Sequence, residues 1–158
     1  MAETFVDLAR LDPRRVIMTR EDVYKILPQR HQFELIGGVL HLDKAAQEIV
    51  AFVDFQRDDW WVPGHLPGRP LVPGIVMMEA AAQTAALLMR EVQGQWSSKF
   101  IGFGGVDGVR FRGMITPPAR VYMIAKGGSY RSNLAKMPIQ GVMDGKLVFS
   151  GEVLGVLS

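Results

Sequence analysis

From Ile75 to Gln93 the chain contains neither Gly nor Pro, and between Ile75 and Met89 only Glu79, Gln83 and Thr84 are polar. This run predicts one long helix, apolar nearly all round and therefore buried on most sides, ending near Gly94. Alanines at 80, 81, 82, 85 and 86 would let a neighbouring sheet approach it closely. Beyond the helix, residues 99–112, 120–126, 130–143 and 146–157 read as strands. Asp144-Gly145 between the last two is a two-residue hairpin signal. Upstream, the chain reads as two strands, the first with residues 33–36 and 39–42 either side of Gly37-Gly38 and the second over 48–53, joined by a polar turn over 43–47. Thr19 followed by Asp22 forms a helix cap, and a short helix runs from there to Leu27 and stops at Pro28. Residues 1–18 show no period and are expected to pack loosely, as an extension, on a domain spanning residues 19–158. The pattern is α+β: a largely antiparallel sheet surrounding one long buried helix.

Between the strands and the helix lies a segment of another kind. Residues 63–74, Pro-Gly-His-Leu-Pro-Gly-Arg-Pro-Leu-Val-Pro-Gly, hold four prolines and three glycines in twelve positions. Proline fixes φ and glycine admits conformations closed to other residues, so the segment is a stiff, sharply shaped loop rather than a linker.

Composition narrows the chemistry. A chain of 158 residues suits one domain and can bury a real core. It has no cysteine, which removes disulfides, thiolate nucleophiles and Cys-ligated metals. The net charge is +2. The pI of 9.1 therefore reflects a flat titration curve and makes no case for nucleic-acid binding. No secretory signal or membrane span is read, because Glu79 interrupts the longest apolar stretch. A cytoplasmic protein is expected.

Three residues stand out. Glu79 places a carboxylate in a nearly all-apolar helix, which is costly unless the group is paired, or protonated and hydrogen-bonded. Gln83, four residues on, shares its helix face and can bond to it. His65 alone of the three histidines sits in the stiffened loop, whereas His31 reads as solvated and His41 as part of a strand face. Gly74 opens the helix, so its N–H is an unsatisfied donor at a positive dipole end and can polarise a carbonyl. The bland readings are a structural acid, a hydrogen-bonded histidine and an ordinary helix start. Gly102 to Gly105 is glycine-rich within strand-like sequence and marks a bulge. Trp60-Trp61 reads as packing against the loop. No metal site is read from the histidine spacing.

Taken together, residues 64–74 and the Glu79-Ala80-Ala81-Ala82-Gln83 run resemble the FabZ-type 3-hydroxyacyl-[acyl carrier protein] dehydratases. Their pattern is G-H-F-P-G-x-P-x-x-P-G followed by E-x-x-A-Q, with the same fourteen-residue step from His65 to Glu79. The resemblance covers about residues 20–155 and departs at Gln29-Arg30-His31-Gln32, Gly37-Gly38-Val39 and Pro117-Pro118-Ala119. It implies a hotdog fold, an antiparallel sheet wrapped around the central helix. It also implies a homodimer, commonly assembled into a trimer of dimers, whose sites take His and Glu from different subunits. By the resemblance, His65 and Glu79 are catalytic, Gly74 holds the thioester carbonyl, Gln83 supports Glu79, and no cofactor or metal is needed. The implied partner is an acyl carrier protein, for which Arg69, Arg110, Arg112 and Arg120 are candidate docking residues. Two other readings remain on sequence grounds: a hotdog acyl-thioesterase and a non-catalytic acyl-thioester-binding protein.

Overall fold

The computed structural model describes residues 3–158; Met1 and Ala2 of the expected extension lie outside them. Its centre is helix α3 (Gly74–Val92), one residue displaced from the span read from the apolar run. Two short helices precede it, α1 (Arg20–Ile26) and α2 (Val62–His65). The strands are β1 (Met18–Thr19), β2 (Gly38–Asp43), β3 (Glu48–Phe55), β4 (Ile101–Phe111), β5 (Ala119–Lys126), β6 (Ser129–Tyr130), β7 (Leu134–Met143) and β8 (Lys146–Leu157). They form one antiparallel sheet in the order β1-β2-β3-β5-β7-β8-β4, with β6 paired to β7.

The sheet curls around α3, which packs on β3, β5, β7 and β8. Ala80, Ala81 and Ala85 are fully buried at this contact, as small residues at a close helix–sheet approach should be. Leu87, Leu88 and Met89 fill the space toward the helix end with Met123, Met137 and Val153. Asp144 (φ 50°) and Gly145 (φ 73°) turn the β7–β8 hairpin, both in the left-handed region that this two-residue loop requires. The register of β4 against β8 slips between Phe103 and Gly105, so the glycine-rich stretch is a bulge as its sequence suggested.

Two expectations are corrected. Residues 33–36 are not a strand: His31–Phe33 is a 3₁₀ turn, and the ladder begins only at Gly38. Side chains have taken the backbone groups a strand would use, since Arg20 donates to Glu34 O (2.8 Å) and Ile36 N–H donates to the Tyr24 hydroxyl (2.8 Å). The N-terminal segment is also not loosely packed. Gln140, buried within β7, accepts from Phe5 N–H (2.8 Å) and donates to Glu3 O (3.0 Å). Val6 joins Val50, Ile124 and Val142 in a second apolar cluster, apart from the main core around α3. Residues 3–11 thus act as a strap across β3, β5 and β7.

Candidate active site

The loop before α3 is stiff for reasons that can be followed bond by bond. Trp61 is buried edge-on against Phe55 of β3 (centroids 6.4 Å apart, planes at 75°), and its carbonyl accepts from His65 N–H (2.9 Å). The turn that carries His65 is thereby anchored to the sheet while its side chain stays exposed. Leu66-Pro67-Gly68-Arg69 follows as a tight turn closed by Arg69 N–H to Leu66 O (2.9 Å). Gly68 at φ 78° takes the position that demands a glycine. Val72 N–H then donates to Ile115 O (2.9 Å), and the chain enters α3 through Pro73.

Pro73 caps α3 with no side-chain acceptor. Val76 N–H (3.0 Å) and Met77 N–H (3.3 Å) donate to Pro73 O, which leaves the amides of Gly74 and Ile75 as donors that the helix cannot satisfy internally, at the positive end of its dipole. Phe111 of β4 lies over this turn so closely that a Cβ on residue 74 would fall 2.6 Å from its Cζ. Only glycine fits beneath the ring as it stands.

Glu79, Ala82, Gln83, Ala86 and Met89 follow one face of α3 at helical spacing. Together with Pro28, Gln29, Phe100–Phe103 and Val153–Gly155 they line a cavity of about 200 Å³. The alanines at 82 and 86 make the room, and Glu79 is the only charged group in the lining among the described residues. Gln83 Nε2 donates to Glu79 Oε1 (2.9 Å) and to Phe33 O (2.9 Å), and Gln83 Oε1 accepts from the Tyr24 hydroxyl (2.7 Å). The Glu79–Gln83 pair expected from their spacing is therefore present, within a larger network that the sequence did not reveal. Tyr24 sits 5% exposed, and burial pushes its phenol up to about 12. The only sequence signal for it is a tyrosine beside Val23 and Leu27 on the buried side of α1.

His65 does not line the cavity that Glu79 lines. The two lie on separate features of one chain: His65 at the exposed end of α2, a helical turn that replaces the start of the loop expected over 63–74, and Glu79 on a half-buried face of α3. Arg69, Arg110 and Arg112 are exposed and lie on the two segments that meet at Gly74; the Arg69 guanidinium rests 3.8 Å from Met114 Sδ. Arg120 is different. It grips Asp54 through two bonds (2.6 and 2.8 Å) and stacks 3.9 Å over Phe52, so its charge is engaged within the sheet. Asp54 also holds the guanidinium's pKa above its usual value. Trp60 is exposed and stacks on Phe33, while Trp61 packs inside. Among the described residues no three His, Asp or Glu gather to hold a metal ion.

A curled antiparallel sheet around one central helix, with a carboxylate on that helix facing an apolar slot, defines a hotdog-fold protein. The chain belongs to the FabA-like domain family, whose model matches residues 27–152. It is 31% identical over 131 residues to the 3-hydroxyacyl-[acyl-carrier-protein] dehydratase FabZ of Polynucleobacter necessarius, covering 83% of this chain and 87% of that protein. To the FabZ dehydratase of Listeria monocytogenes it is 29% identical over 137 residues (86% and 93% covered). Among solved structures, the dehydratase heterocomplex ApeI:P from Xenorhabdus doucetiae superposes with a TM-score of 0.71 at 15% identity, covering 86% of this chain and 90% of that one. A putative thioesterase from Ralstonia eutropha shares the fold at a TM-score of 0.61 and 13% identity, covering 75% and 82%.

Proposed function

We propose that this chain is a hydro-lyase that removes water from (3R)-hydroxyacyl thioesters on acyl carrier protein, giving trans-2-enoyl thioesters for fatty-acid or related acyl-chain synthesis. The observation that carries the reading is Glu79, hydrogen-bonded on Oε1 by Gln83 and facing an otherwise uncharged slot. Dehydration needs a base for the weakly acidic α-proton, a donor for the developing enolate oxygen and an acid for the departing hydroxyl. His65 takes the α-proton on a ring nitrogen that carries none, as a general base. Gly74 N–H holds the thioester carbonyl where the helix dipole stabilises its growing charge. Glu79 gives its proton to the β-hydroxyl. The Cα–H electron pair becomes the Cα=Cβ bond, the Cβ–O bond breaks, and the oxygen leaves as water. The imidazolium then releases one proton to solvent and the carboxylate regains one, so the cycle closes with no cofactor or metal.

The site works as a homodimer in this reading, with His65 from one subunit meeting Glu79 of the other; trimers of such dimers are the larger assembly. Support comes from the separation of His65 from the Glu79 cavity and from the edge strand β4. That edge runs eleven residues, with Phe103 at 50% and Phe111 at 51% exposure. A long, apolar free edge is a liability in a monomer and a template for a second strand. Arg69, Arg110 and Arg112 would receive the acidic carrier near Gly74, and Arg120, bound to Asp54, is the weakest of the four candidates. A cytoplasmic location fits this partner.

The test is intact-mass analysis of carrier protein charged with a (3R)-hydroxyacyl chain. Loss of one water from the carrier-bound chain is expected. Release of free thiol would instead make the protein a thioesterase, and tight binding without turnover would make it a binding protein.

A further inference from the structure

The network behind Glu79 has a direction. Ile36 N–H has one proton and can only donate, so the Tyr24 oxygen must accept from it (2.8 Å). The single phenol proton is then left for Gln83 Oε1 (2.7 Å). An amide whose oxygen is held by Tyr24 must turn its nitrogen the other way, where both N–H groups find acceptors, Phe33 O and Glu79 Oε1. Every donor in the chain has one acceptor, and no other polarity satisfies all of them. With Oε1 taken by Gln83, Oε2 is the carboxyl oxygen left for the substrate.

Resting on the dehydratase reading, we infer that Tyr24 is a positioning residue: its hydroxyl fixes the orientation of the Gln83 amide and so keeps Glu79 Oε1 occupied as an acceptor, leaving Oε2 as the oxygen that exchanges a proton with the substrate. The alternative arrangement shows why this matters. A flipped Gln83 would set its oxygen against Phe33 O and Glu79 Oε1. A protonated Glu79 would relieve that repulsion by donating back to Gln83, and its proton would be turned away from the slot. The Tyr24 hydroxyl excludes this state because the flipped amide would present a nitrogen to the phenol proton. Burial holds the phenol protonated across the neutral range, with Arg20, Glu21, Lys25, Arg30 and Glu34 around the cavity that Tyr24 lines. The device reaches across 59 residues, from α1 to α3.

The experiment removes the hydroxyl alone. Tyr24→Phe keeps the ring in its place against the core, and Val23→Ala, a buried change on the same helix, serves as the stability control. With carrier-bound substrate, Tyr24→Phe should lower kcat roughly 10- to 100-fold while KM stays within about 2-fold, the loss that misdirected proton transfer produces. Val23→Ala should lower the melting point without changing kcat. In a Gln83→Leu background, where the amide is gone and its oxygen no longer lacks a partner, Tyr24→Phe should change kcat no further. Wild-type kcat in Tyr24→Phe, or an undiminished effect in the Gln83→Leu background, overturns the inference and leaves the dehydratase reading standing. A wild-type protein that removes no water overturns both.

Discussion

Gly74→Ala separates the stability of the helix start from its proposed use. The added Cβ would stand 2.6 Å from Phe111 Cζ and 2.9 Å from Cε1, so the ring must retreat by about 1 Å to reach ordinary contact. That retreat disturbs its pairing with Phe149, whose ring centroid is 5.5 Å away. Such a pair is worth about 0.5–1.5 kcal/mol. Against this, alanine gains up to about 1 kcal/mol over glycine at a helical position. The two nearly cancel, and the melting temperature should move by no more than about 4 °C in a domain of this size. Activity should not be spared. The methyl and the displaced ring stand where the proposed site has the thioester carbonyl meet Gly74 N–H, and a misplacement of about 1 Å can cost ~100-fold in rate. Parallel thermal melts and dehydration kinetics decide the matter. A Gly74→Ala protein that melts normally and turns over at the wild-type rate would refute the assignment of the carbonyl to this turn.

Three further outcomes follow from the same geometry. If each site joins His65 of one subunit to Glu79 of another, mixing inactive His65→Ala and Glu79→Gln proteins under exchanging conditions should restore about a quarter of wild-type activity, one intact site in each mixed dimer; no recovery would place both groups in one chain. Gln140→Leu removes both bonds that fasten the N-terminal strap and leaves Phe5 N–H without its partner. It should cost about 1–3 kcal/mol by chemical denaturation and raise amide exchange at residues 3–11. Tyr24 is an acid whose folded pKa lies above its unfolded value of 10.0, at about 12. Its contribution to stability is therefore complete below pH 10.0 and is lost as pH climbs toward the folded value. Between those limits wild type should lose on the order of 2–3 kcal/mol more than Tyr24→Phe, measured by urea unfolding across alkaline pH.

The elements legible in the sequence are those specified by local chemistry. The uninterrupted apolar run marked α3 to within a residue at each end, and Asp144-Gly145 marked its hairpin because both positions need left-handed backbone. Thr19 and Asp22 marked a helix cap, which the structure completes as a capping box with both reciprocal bonds present. Glu79 and Gln83 were paired by helical spacing alone. What escaped depends on partners distant in the chain. Residues 33–36 alternate like a strand, yet their backbone groups are claimed by Arg20 and Tyr24, a competition no period records. Nothing local in the sequence marks Gln140 of β7, and only the folded chain shows the strap that it ties down. Nor does the local sequence set Tyr24 apart. Its importance lies in the proton that it gives to a residue on another helix.

The claim on which the rest stands is that His65 and Glu79 together eliminate water from a hydroxyacyl thioester. The most direct measurement is the rate of that elimination on carrier-bound substrate for the wild-type protein, His65→Ala and Glu79→Gln, with melting curves to establish that each is folded. Removing either proton-transfer group should lower kcat by at least about 100-fold. Wild-type turnover in either folded variant would contradict the account.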